Sequence, residues 1–158
     1  MLAIYLALVV LGIAAVLGNV CAPGSGGCEV DSNVGSHIIY EDARVRVWNF
    51  TLAPNASTSM HRHDCDYHFI ALEPSTLEVW GASGERLFDF LATGTLGFKI
   101  EGDFLVQLAP SGADAASFTP IRVPRVHSAR NLGNHVYREI LFESLQHCNS
   151  SVTSRGEL

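Results

Sequence analysis

The chain has 158 residues, of which 47% are hydrophobic and 16% charged, with a formal net charge of -6. That is the length of one domain, enough to bury a core of its own. The composition excludes a multi-span membrane protein and a disordered chain, and the acidic balance with a single lysine, Lys99, argues against nucleic-acid binding.

Residues 1–20 carry no charged side chain, and 17 of these 20 are hydrophobic. The run from Met1 to Leu17 reads in two ways. As a secretory signal peptide it would place the small residues Val16 and Gly18 before the cut and Asn19 at the new N-terminus. As a single membrane anchor it is at the short edge of the roughly 20 apolar residues a span requires. The first reading predicts a secreted or ER-lumenal protein; contact with a membrane is expected only if the segment is retained. Three N-x-S/T sequons, at Asn49, Asn55 and Asn149, agree with a secretory, glycosylating route. The four cysteines allow three full pairings. Cys21 and Cys28 bracket a Gly/Ser/Pro loop that could close locally, which would leave Cys65 with Cys148.

Residues 21–36 are rich in Gly, Ser, Asn and Pro and read as a flexible arm without a core of its own. Beyond His37 the pattern changes to short strands. Val45 to Leu52 alternates polar and apolar residues, the period of a half-buried strand. Phe69 to Leu72, Leu77 to Trp80, Leu87 to Leu91, Phe104 to Leu108, Ile121 to Val123 and Val136 to Phe142 are further β-type runs. Turn residues at Pro54-Asn55, Pro74-Ser75, Gly81 to Gly84, Gly94, Gly102-Asp103, Pro110 to Gly112 and Gly133-Asn134 separate them. No downstream stretch sustains a helical period. Many short strands with regular turns predict an antiparallel sandwich or barrel.

The stretch from Ser57 to His68 carries the chemistry. His61 and His63, at i and i+2 on an extended segment, share a face. Their imidazoles can chelate one first-row divalent ion, and His127 is available as a third ligand. No GxSxG, GxxxxGK[ST] or GxGxxG signature occurs. His37, His135 and His147 have no partner pattern and read as surface residues.

These residues resemble the two motifs of the cupin superfamily. His61 and His63 match the HxH pair of the first motif, and His127 with Asn131 matches the H(x)3N ending of the second. The resemblance covers roughly Val45 to Phe142. It implies an all-β fold, a single antiparallel jelly-roll β-barrel, in which His61, His63 and His127 bind one divalent transition metal (iron, manganese, zinc or nickel). The glutamate that the first motif usually supplies is missing: its slot falls on Tyr67 or His68, neither a carboxylate. Aligning Phe69 to Glu73 without a gap favours Tyr67 and sends His68 to the opposite face. Tyr67 or His68 is therefore expected in the fourth position or as an acid/base group. Alternation from His127 puts Arg125 on the same face, where it could meet an anionic substrate. Pro110 to Thr119 resembles an insertion in the second motif, a lid at the barrel mouth or a surface loop.

The expected organisation is a leader over 1–20, an arm over 21–36, a cupin barrel over 37–146 and a tail over 147–158. The resemblance implies a metal-binding protein, in one reading a mononuclear oxygenase or isomerase acting on a small anionic organic molecule. In the other it is a non-catalytic cupin that binds a small ligand or stores or senses metal. The partner expected is a small molecule, not nucleic acid, and cupins commonly form homodimers through edge strands.

Overall fold

Short alternating runs leave the backbone one economical way to pair its polar groups, which is to stack them into sheets. The computed structural model describes residues 30–114 and 116–148, and among these it contains eleven β-strands and no helix. They are β1 (His37–Glu41), β2 (Val45–Leu52), β3 (His61–Arg62), β4 (Cys65–Glu73), β5 (Ser75–Gly81), β6 (Arg86–Ala92), β7 (Thr95–Glu101), β8 (Phe104–Gln107), β9 (Arg122–Pro124), β10 (Val126–Asn131) and β11 (Tyr137–Cys148). The alternating run Val45 to Leu52 becomes β2 with the expected bounds, and each of the other β-type runs lies in or overlaps a strand.

The strands form a seven-stranded sheet in the order β1-β2-β11-β4-β7-β8-β9 and a four-stranded sheet in the order β3-β10-β5-β6, with every pair antiparallel. Their inner faces close on one core of Trp48, Phe50, Phe69, Leu77, Val79, Phe98, Leu105, Tyr137 and Leu141, among others. This is the all-β jelly-roll barrel expected from the resemblance.

Three features depart from the sequence reading. The arm expected over 21–36 docks onto the barrel from residue 30: Val34 is 3% exposed and belongs to the core. The Asp31 N–H donates to the Met60 carbonyl and the Arg62 N–H to the Asp31 carbonyl, both at 2.9 Å. Gly35 lets this segment pass over Trp48, because a Cβ at Gly35 would stand 2.6 Å from the Trp48 Cβ. Second, β7 forms through a glycine: Gly97 sits opposite His68 in the register, and the imidazole occupies the space a Cβ would fill. A glycine inside a strand weakens the sequence signal while serving such a close approach. Third, β11 runs to Cys148, two residues past the expected end of the barrel.

Cys65 at the start of β4 and Cys148 at the end of β11 are joined by a disulfide. Cys21 and Cys28, the leader, Asn149 and the tail beyond Cys148 lie outside the described residues.

Candidate metal centre

β3 and β10 bring the two histidine motifs together. His61 and His127 are Cα partners across this antiparallel pair. His63 lies just past the end of β3, where its backbone N–H donates to the Arg125 carbonyl at 3.1 Å. All three side chains are buried, with 5%, 3% and 8% exposure for His61, His63 and His127. Each offers a ring nitrogen, and the three nitrogens lie within 4.8 Å of one another.

The local hydrogen bonds orient two of the rings. The His61 Nδ1–H donates to the Ser59 carbonyl at 3.0 Å, and the His127 Nδ1–H to the Pro124 carbonyl at 2.8 Å. A carbonyl only accepts, so each contact puts the proton on Nδ1 and leaves Nε2 with a lone pair. His63 is held by packing. Its ring lies between Tyr67 and His127, near-parallel to both, with centroids at 4.5 and 5.1 Å. His63 Nδ1 has no hydrogen-bond partner, the one such buried side-chain nitrogen or oxygen among the described residues.

Burial in this apolar setting disfavours the imidazolium and lowers all three pKa values. His127 is pushed down to about 3 by burial and then by His61. His63 falls well below 6.5, through burial and then its histidine neighbours and Arg125. Three neutral imidazoles are the protonation state that metal ligation requires. The cluster is thus compatible with a divalent transition metal.

The three histidines share a cavity with a free volume of about 60 Å³. Its walls are largely apolar, including Val34, Phe50, Phe69, Leu77, Val79 and Phe98, and its other polar groups are Tyr67 and Glu139. Tyr67 faces inward from β4, 5% exposed, and its ring also stacks on Phe98 with centroids at 5.3 Å. Burial, with the nearby Glu139 and Glu143 carboxyls, raises its hydroxyl well above 10, so in the metal-free protein it is a neutral phenol.

Two expected site residues are elsewhere. His68 follows Tyr67 on β4 and therefore points to the outer face, exposed, opposite Gly97 on one side and Phe142 on the other. The expectation that it takes the fourth position or acts as acid/base is corrected by this alternation. Arg125 falls between β9, in the larger sheet, and β10, in the smaller, so alternation cannot be counted through it. Its guanidinium is engaged: Nε–H donates to the His63 carbonyl at 2.8 Å and an Nη2–H to Asp64 at 2.7 Å. It does not line the cavity, and the anion-binding role expected of it is corrected accordingly. Among the described residues of 110–119, none lines the cavity either, so the insertion is a surface loop here.

Asn131, the last residue of the second motif, is completely buried and serves the fold. Its amide Nδ2–H groups donate to the Leu52 and His135 carbonyls, and its Oδ1 accepts from Ser75 Oγ–H and the Gly133 N–H. Glu139 was not visible as a site residue. It projects inward from β11, 6% exposed, and accepts a hydrogen bond from the Tyr137 hydroxyl. Burial pushes its carboxyl up to about 7, against the lowering effect of Tyr137.

No protein-family model matches the sequence, and no curated protein does. Among solved structures, the chain is similar to a cupin domain from Bordetella pertussis, at 16% identity and a TM-score of 0.42, over 75% of this chain and 98% of that one. By its own strand order, and by the two histidine motifs that converge inside it, the barrel has a cupin-like jelly-roll fold enclosing a histidine cluster compatible with a metal ion.

Proposed function

We propose that the protein is a metal-binding cupin whose ion is held by His61, His63 and His127, and that it acts on a small anionic organic molecule as a mononuclear oxygenase or isomerase. The observation that carries this reading is the convergence of three buried imidazoles, held neutral, with ring nitrogens within 4.8 Å of one another. Bound there, a divalent ion would supply Lewis acidity or redox chemistry with positions open to ligands. The chain's own residues do the rest. The largely apolar walls lower the local dielectric and strengthen each electrostatic contact inside the cavity. The Tyr67 hydroxyl, on the ring stacked against His63, is placed to hydrogen-bond a small ligand beside the histidines. No arginine or lysine lines the cavity, so the bound ion would be the cation that an anionic group entering it meets.

One observation favours the non-catalytic alternative. A free volume of about 60 Å³ is far below the roughly 300–1,000 Å³ of ordinary ligand pockets. It suits an ion with water or a very small ligand, as a metal-storing or sensing protein would hold.

A secreted or lumenal location is part of this proposal. The apolar leader and the Cys65–Cys148 disulfide support it, since structural disulfides persist in oxidising compartments.

Elemental analysis of the purified protein, followed by oxygen uptake with candidate diketones, carboxylates and phenols, tests the reading. Metal in near-equimolar amount with turnover is the expected result. Metal without turnover would select the binder. No metal, with a melting temperature unmoved by chelator, would overturn both.

A further inference from the structure

The cavity holds an acid with no cation. Glu139 is the one carboxyl lining it, and no ion pair among the described residues involves Glu139. The other buried glutamate on the same face of β11 is served differently: Glu143 accepts from Trp48 Nε1–H at 2.6 Å and lies 3.7 Å from an Arg46 nitrogen. Glu139 has the Tyr137 hydroxyl alone. A carboxylate buried among apolar walls with a single neutral donor is unfavourable, so below pH 7 the metal-free barrel holds it mainly as the acid. Across the same small cavity stand three neutral imidazoles whose cation would arrive with no anion to balance it. The slot from which the resemblance expects that anion is occupied by the phenol of Tyr67.

Resting on the metal reading above, we propose that Glu139 is the charge partner of the ion held by His61, His63 and His127, a carboxylate supplied from β11 across the cavity in place of the one absent at Tyr67. Loading the ion then expels one proton: the Glu139 O–H bond breaks, the proton leaves to solvent, and the carboxylate remains opposite the cation with the Tyr137 hydroxyl still donating to it. The groups facing Glu139 act in one direction. From its own strand come Tyr137 and Glu143, from β4 comes Tyr67, and from the facing sheet come the three histidines, all neutral before loading except Glu143, which burial also biases toward the acid. No positive side chain competes with the ion for the carboxylate.

The test uses the full chain and zinc ion alone, at pH 6, where Glu139 is largely protonated. Zinc affinity is measured by chelator competition for wild type and Glu139→Gln, and released protons are counted by titration calorimetry in two buffers of different ionisation enthalpy. Binding about 10–100-fold weaker in the variant, with about one proton fewer released, is the expected result. Equal affinity and equal proton release would overturn the proposal while leaving the three-histidine site standing. Absence of zinc binding in both proteins would instead overturn the metal reading on which it rests. Should Glu139→Gln fail to fold, infrared spectroscopy of wild type decides. The carbonyl stretch of a buried carboxylic acid should be present without zinc and vanish on loading; its persistence in the loaded protein would overturn the proposal.

Discussion

His61 and His127 are directly opposed across the antiparallel pair of β3 and β10, with ring centroids 4.7 Å apart. Two groups that can each take a positive charge are thereby fixed edge to face, both buried. Both must stay neutral or share a cation, and the two carbonyls that accept from their Nδ1–H groups leave both Nε2 lone pairs free.

Removing one member of this pair should abolish loading. His127→Ala is expected to fold and to retain no stoichiometric metal by elemental analysis. For wild type, a metal concentration 100-fold above the dissociation constant should raise unfolding stability by about 2.7 kcal/mol, and the variant should gain nothing. An equal gain in the variant would show that the ion sits elsewhere.

The metal-free protein should weaken in acid. His127 titrates near 6.5 when unfolded and at about 3 when folded. Between these values the unfolded chain binds more protons, so stability falls as the pH drops, by about 1.4 kcal/mol per pH unit for this group once the unfolded histidine is protonated. His61 and His63 act in the same direction. Glu139 opposes them: its folded value of about 7 lies above its ordinary 4.5, so its contribution is present in acid and fades as the pH rises through 7. Glu143, raised by burial, opposes them as well; three groups outweigh two, and urea denaturation of chelator-treated protein from pH 7.5 down to 4.5 should show a net loss. A midpoint that rises with acid would contradict the neutral cluster.

Asn131 should matter for stability rather than for binding. Replacing it with alanine strands the Leu52 and His135 carbonyls and the Ser75 and Gly133 donors, for an expected loss of about 3–4 kcal/mol in denaturant unfolding. Asn131→Asp, which keeps the shape but turns an acceptor toward two carbonyls, should be destabilised similarly. The folded fraction of either variant should still load metal.

The Cys65–Cys148 disulfide closes a loop with a sequence separation of 83 residues. Chain entropy assigns such a cross-link about 4–5 kcal/mol. The double variant Cys65→Ser/Cys148→Ser should lose stability of that order, and reductant, which weakens wild type, should leave this variant unchanged.

What the sequence made legible was the repeating and the local. β2 reads cleanly because Val45 to Leu52 keeps one parity throughout, and the HxH pair stands out because its spacing puts His61 and His63 on one face, while His127 was joined to them by the resemblance. Glu139 was hidden by parity. Along β11, Tyr137, Glu139, Leu141 and Glu143 face inward, while Ile140 and Phe142 lie on the outer side with Arg138, and the apolar Val136 just before the strand is exposed too. A reading by hydrophobicity turns that strand the wrong way round and discards the glutamate as solvated. Arg125 was misplaced for a related reason, because the chain changes sheets at that residue and the count of two does not survive the crossing. Gly97 masked β7, since the close approach of His68 that demands a glycine also removes the strand signal.

The two layers of the barrel contribute different halves of the cavity. Around β3 and β10 stand the three imidazoles; from β4 and β11 come Tyr67 and Glu139. Whatever occupies the space between them touches both layers and acts as a rivet through the sandwich. Loading and unloading should therefore change how readily the layers part, so that backbone amides far from the histidines, in the middle of either sheet, exchange with solvent more slowly when the site is filled.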